Sequence, residues 1–384
     1  MSFAMPVKIK AVFFTVLVSV ISYQAIGQSK FQKSFVISYE NGPLLGNGKD
    51  WANQIKETES YSGVDVRFEW RKVKNTFHNY LYRYPSMGFG FSSLAFHSEK
   101  LGRPMGIYGF VELPFTRRGI YNKFYLSYFG QIGLGFHIKP YDPETNPINK
   151  FVGSNLNSYI HLGFKANYEL SQRVSLVGTI GLKHFSNGAI KKPNAGINYA
   201  PIGFGIKTKL GKVQSLPTEP VSYPDLEKRG FWNLALYLGT KNYEIGDPTY
   251  FRGGLGINYL WEASYKYRIG LGIDWFYGAG IKDRWPNQNT GFFDANSFAL
   301  VGSWEWKINE HLYAPVAFGV YFNQSEFNQE VSWFYERVGV RYRFDNNVFM
   351  GIQIKAHKAK ADFFEFTFGY TIPGKIKYTR PGNK

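Results

Sequence analysis

The chain has 384 residues, enough for two domains, with no cysteine, 7 histidines and a formal net charge of +17. Beyond the N-terminus no segment approaches about 20 apolar residues, which excludes helical membrane spans; with no Cys and scattered His, no zinc cluster is visible in the sequence. Aromatic residues make up 19% and Gly numbers 41, which with many alternating strands predicts an all-β antiparallel transmembrane barrel, and the positive charge reads as attraction to anionic membrane headgroups rather than to nucleic acid.

In chain order, Lys8 and Lys10 precede the apolar run Ala11 to Ile21, and Ala25 and Gly27 supply the small residues of a cleavage point. Residues 1–27 read as a secretory signal peptide, with an uncleaved membrane anchor as the alternative. An exported chain could have used disulfides. A closed barrel satisfies its backbone through strand pairing and needs none. The stretch Gly46-Asn47-Gly48-Lys49 resembles a phosphate loop only superficially and reads as a plain loop without a helix.

Alternation then predicts about eight strands, near 34–41, 61–73, 84–97, 104–116, 122–138, 156–171, 173–186 and 197–210. In Val64-Asp65-Val66-Arg67-Phe68-Glu69-Trp70-Arg71 apolar and charged residues alternate strictly. Residues 28–212 would form one barrel, and 213–230, rich in proline and without alternation, a linker. About eight more strands fit within 231–373, followed by a basic tail, 374–384. Two eight-stranded barrels in tandem fit this pattern best, because the first half already holds a complete strand set. One barrel of about sixteen strands is the alternative. His78, His97, His137, His161 and His311 stand singly, and Asp345-Asn346-Asn347 reads as a hairpin turn.

The chemistry concentrates where the seventh strand ends. Val174, Leu176, Gly178, Ile180, Leu182, His184 and Ser186 share one face, because side chains alternate with period two. A base and a candidate nucleophile thus lie on the apolar face. Across the hairpin Asn198 begins a strand whose matching face carries Ala200, Ile202, Phe204 and Ile206. Ester hydrolysis by Ser needs a base within hydrogen-bond reach and a third group to orient it. The pattern predicts that Ser186, His184 and Asn198 meet on the lipid-facing surface, where a membrane lipid is the natural substrate.

The stretch His184-Phe185-Ser186-Asn187, followed by Pro193-Asn194 and Gly196-Ile197, resembles the PagL-type outer-membrane lipid A 3-O-deacylases. The resemblance covers about 34–210 and includes the Gly-Ser-Asn-Leu-Asn segment at 153–157. It implies His184 as base, Ser186 as nucleophile, Asn187 as an oxyanion-hole candidate and Asn194 as a loop-shaping residue. It also implies lipid A, the lipid portion of lipopolysaccharide, as substrate, the outer membrane of a Gram-negative bacterium as location, and no metal or organic cofactor. The departure is Asn198, where the family pattern has Glu. A neutral amide can hold the ring but cannot stabilise an imidazolium by charge.

The second half is expected to be catalytically silent. His357 falls on the lumen face with Lys355 and Gln353, and Ala359 stands where a Ser would be needed. Asp362 falls with Phe364, Phe366 and Phe368 on the apolar face, and any His357 contact is expected with Glu365. A non-enzymatic channel or structural barrel is the competing function, and a channel would favour the sixteen-strand form.

Overall fold

The structure, a computed structural model, describes residues 31–375 apart from 95–97, 117–122 and 218. The expected signal peptide and most of the basic tail therefore lie outside the described residues. The first half contains β1 (Phe31–Pro43), β2 (Ser60–Lys72), β3 (Ser86–Leu94), β4 (Gly102–Pro114), β5 (Phe124–Ile138), β6 (Asn157–Glu169), β7 (Val174–Ser186), β8 (Ile197–Tyr199) and β9 (Ile202–Leu210). Each of β1 to β7 pairs antiparallel with the next, and β9 pairs with both β7 and β1 to close the ring. β8 and β9 run along β7 in one register, with His184 opposite Asn198 and Ile180 opposite Ile202. They are one strand interrupted at Ala200-Pro201, where proline has no N–H to give the ladder.

The second half closes separately. Strands β10 (Gly230–Asn242), β11 (Thr249–Glu262), β12 (Tyr267–Gly278), β13 (Asn296–Lys307), β14 (Leu312–Asn323), β15 (Phe334–Arg343), β16 (Val348–His357) and β17 (Lys360–Pro373) form a closed antiparallel barrel, with β17 back on β10. Two eight-stranded barrels result, and the sixteen-strand alternative is excluded. Closure leaves no backbone edge unpaired, as hydrocarbon requires. No helix among the described residues is long and apolar enough to cross a membrane.

The strand period sorts the side chains. On β7, Leu176, Ile180 and Leu182 are exposed outward, while Ser175, Val177, Thr179 and Lys183 are buried inward. An eight-stranded barrel is just wide enough for its own side chains. Buried ions there need partners, because an unpaired charge in a low dielectric is strongly unfavourable. In the first lumen Lys183 Nζ donates to Glu40 (2.5 Å), Tyr61 (2.6 Å) and Ser92 (2.9 Å), and Lys165 pairs with Glu112 at 2.7 Å. In the second, Arg337 bridges Asp274 and Glu365, each at 2.6 Å. Neither lumen is built as an open channel.

Two expectations are corrected. A helix, Asp50–Thr58, does follow Lys49. Ala52 and Ile55 bury one face of it, and Trp51 packs edge-on against Phe151 at 4.8 Å, so the segment caps the end of the first barrel at which β7 finishes. Asp362 points into the second lumen, 3% exposed, not onto the apolar face. Lys355 pairs with Phe363 but Ala356 pairs with Ala361, so Asp362 is the extra residue of a β-bulge and loses the strand's parity. There it binds Lys241 (2.5 Å) and Lys355 (2.9 Å).

Candidate active site

The cap on the first barrel fixes the hairpin. Phe185, Ile197 and Tyr199 point inward and are buried in a cluster with Leu44, Ile55, Phe151 and Tyr159. Their neighbours His184, Ser186 and Asn198 must then face outward, by strand alternation. Locking the odd residues inward therefore aims the even ones. Asn198 is also held along its backbone, since its carbonyl accepts from the N–H of Leu45 at 2.8 Å.

His184 Nδ1 lies 2.7 Å from Asn198 Oδ1, and Nε2 lies 2.8 Å from Ser186 Oγ. An amide oxygen only accepts, so Nδ1 carries the ring proton and Nε2 is left to accept from the Ser186 hydroxyl. Gly196 closes over the ring. Its φ is +82°, and a Cβ there would stand 2.6 Å from His184 Cε1, so position 196 requires glycine both for backbone and for space.

The loop between β7 and β8 is knitted by amides. The Asn187 N–H donates to Asn194 Oδ1 at 3.0 Å. Asn187 Nδ2 donates to Ser154 Oγ (2.9 Å) and to the Lys191 carbonyl (2.8 Å). Both amide hydrogens of Asn187 are thus engaged in bracing the loop. Ser186 is 3% exposed and Asn187 4%, so the hydroxyl sits sheltered from bulk water. The role of Ser154 was not legible in sequence. Its segment was noticeable only as Gly-Ser-Asn-Leu-Asn, and its contact with Asn187 spans 33 residues.

The second barrel holds no comparable group. His357 is 3% exposed inside the lumen, as its position on the strand predicts. Its Nε2 meets Tyr321 OH at 2.9 Å and its Nδ1 lies 3.9 Å from Asp362. The expected contact with Glu365 is absent, because that carboxylate is bound by Arg337. A recess of about 590 Å³ opens at the end of this barrel where linker residues Pro224 to Arg229 lie beside Phe231, Arg268 and Arg343. β10 starts at that end and runs away from it toward Asn242, so the recess is remote from His184.

Two family descriptions match the chain: "Lipid A 3-O-deacylase (PagL)" over residues 62–207 and "Acyloxyacyl hydrolase, C-terminal domain" over residues 230–375. The chain belongs to the PagL family. The first PagL match contains Ser186, His184, Asn198, Asn187 and Asn194, and the second coincides with the second barrel. This PagL-family chain is a lipid A deacylase-like protein of the outer membrane. No curated protein sequence matches it. Among solved structures, Neisserial surface protein A is 12% identical, covering 48% of this chain and 100% of its own, with a TM-score of 0.28. The outer membrane protein opdK from Pseudomonas aeruginosa is 7% identical, covering 89% and 99%, with a TM-score of 0.23. The fold rests on the strand pairing above and not on these two likenesses.

Proposed function

We propose that this chain is a serine esterase that removes an ester-linked acyl chain, the 3-O chain by the family's pattern, from lipid A, after export by its N-terminal signal segment. The observation that carries this reading is the Asn198–His184–Ser186 relay, at 2.7 and 2.8 Å, on the apolar outer face of the barrel. A lipid in the same leaflet reaches that face by lateral diffusion, with its acyl chains already beside Leu182, Ile202 and Phe204.

Ser186 Oγ attacks the acyl carbonyl as His184 Nε2 takes its proton. The tetrahedral intermediate collapses when His184 returns that proton to the departing sugar oxygen. The acyl chain stays on Ser186. Water, deprotonated by His184, then releases it as the fatty acid. Asn198 keeps the imidazole in the tautomer this needs, as in Cys-His-Asn sites, without supplying charge to the imidazolium. Asn187 serves the oxyanion if its amide exchanges Ser154 Oγ for the substrate oxygen.

The test is mass spectrometry of lipid A from Gram-negative cells expressing the chain or its Ser186→Ala variant. Loss of the mass of one ester-linked acyl chain only with the intact chain is expected. Identical lipid A in both would overturn the reading.

A further inference from the structure

The catalytic loop does not stand alone on the first barrel. Its outer side is bonded to the second. The Lys192 N–H donates to Asn242 Oδ1 at 3.0 Å. The Asn242 N–H donates to the Ala189 carbonyl at 2.8 Å, and Thr249 Oγ donates to the Ile190 carbonyl at 3.0 Å. Gly188, two residues after the nucleophile, lies against the ring of Phe364, where a Cβ would come within 2.0 Å of the ring. Three backbone polar groups of the loop therefore find their partners on the neighbouring barrel.

Asn242 is shaped for this contact. It ends β10 and is 3% exposed. Its Nδ2 donates to the carbonyls of Asp247 (2.7 Å) and Pro248 (3.2 Å) within its own hairpin loop. Those two bonds fix the amide plane and leave Oδ1 aimed at Lys192. The acceptor is thus rigid before the loop meets it. From there the connection to the site is short: Asn187 Nδ2 holds the Lys191 carbonyl, and Asn187 follows Ser186.

We propose that the second barrel is an in-chain clamp for the catalytic loop, with Asn242 as its main positioning residue and Thr249 as an auxiliary one. This deepens the esterase reading and rests on it for the identity of the nucleophile. A surface loop is mobile by default. A nucleophile displaced by about 1 Å can lose about 100-fold in rate even when the change lies far from the chemistry. The clamp assigns a task to a barrel whose histidine has no serine two residues on, where Ala359 stands.

The experiment uses the full chain in detergent, with heat-modifiable migration showing that the barrels are folded. Two readouts are taken: hydrogen–deuterium exchange of the peptide covering 187–196, and the rate at which a fluorophosphonate probe labels Ser186. Labelling forms a phosphorus–oxygen bond to Ser186 and releases fluoride, so it needs no lipid A. Asn242→Ala should raise exchange at the loop and slow labelling about tenfold or more, with KM for lipid A nearly constant as kcat falls. Thr249→Val should act in the same direction and less, while Thr249→Ser, which keeps the hydroxyl, should behave as the parent chain. Unchanged exchange and labelling in folded Asn242→Ala overturn the clamp. If that variant does not fold, equal behaviour of Thr249→Val and Thr249→Ser overturns it. A parent chain that labels at Ser186 but leaves lipid A intact removes the substrate and leaves the clamp standing. If Ser186 does not label at all, exchange alone decides, and an unchanged loop overturns the clamp.

Discussion

Each barrel carries a histidine near the end of its seventh strand, and the two have opposite fates. His184 faces out, with Ser186 two residues on and Asn198 directly opposite in the ladder. His357 faces in, among Tyr321, Lys355 and Asp362. Strand parity makes the difference. On the outer face the ring's polar partners among the described residues are Asn198 and Ser186, the two that complete a relay. On the inner face it joins a buried ionic network of Lys241, Arg252, Glu330, Lys355 and Asp362. Two similar barrels can thus differ in chemistry because one histidine lies on the outer wall and the other in a lumen filled by the protein's own side chains.

The sharpest way to break this comparison is Ser186→Ala. Removing the hydroxyl should lower deacylation by about 10⁴-fold or more, with heat-modifiable migration unchanged. Activity retained by this variant would place the chemistry elsewhere, and the second barrel would have to be reconsidered.

A large effect of another kind is expected at Asp362→Ala. Lys241 and Lys355 are buried against this carboxylate, and Arg252 lies 3.9 Å away. Removing one partner of a buried ion cluster costs about 3–5 kcal/mol. Denaturant unfolding in detergent should show the second barrel weakened by that amount. A neutral result would mean that its lumen is hydrated, and the contrast between the two faces would lose its basis.

Asn198→Ala should lower kcat about 100-fold, the scale of lost acid–base positioning, with KM little changed. Asn198→Glu should match or exceed the parent chain, because it adds charge beside the imidazolium. Steady-state kinetics on lipid A in mixed micelles checks both. If Glu abolishes turnover while Ala leaves it intact, Asn198 is not the orienting group.

The smallest effect is expected from His357→Phe. It removes the 2.9 Å bond to Tyr321, worth about 1 kcal/mol of stability, and should leave deacylation within twofold of the parent. A larger loss of activity would show that the inner histidine has a part in the reaction.

Much of this was legible in the sequence for one reason. Side-chain period in a strand is a local property, so the outward aim of His184 and Ser186 could be counted from Val174, and the inward aim of His357 from Phe349. Counting failed where the backbone departs from period two. Asp362 was misplaced because a bulge inserts one residue without marking the sequence. The helix at Asp50–Thr58 was missed because its apolar face is short, and it is held by packing on Phe151 about a hundred residues away. The interruption at Pro201 did not disturb the reading, since β8 and β9 keep one register with β7.

The sequence by itself determined the antiparallel strands, their alternating polar and apolar faces and the side of the barrel wall on which Ser186, His184 and Asn198 lie, because alternation follows from nearest-neighbour geometry. That the strands close as two rings of eight was decided by the long-range pairings of β9 with β1 and β17 with β10. Only the tertiary structure decided which residues complete the site. Ser154 reaches Asn187 across 33 residues, Asn242 reaches Lys192 across 50 and Thr249 reaches Ile190 across 59. Such contacts depend on how two closed barrels sit side by side, and no local pattern encodes that arrangement.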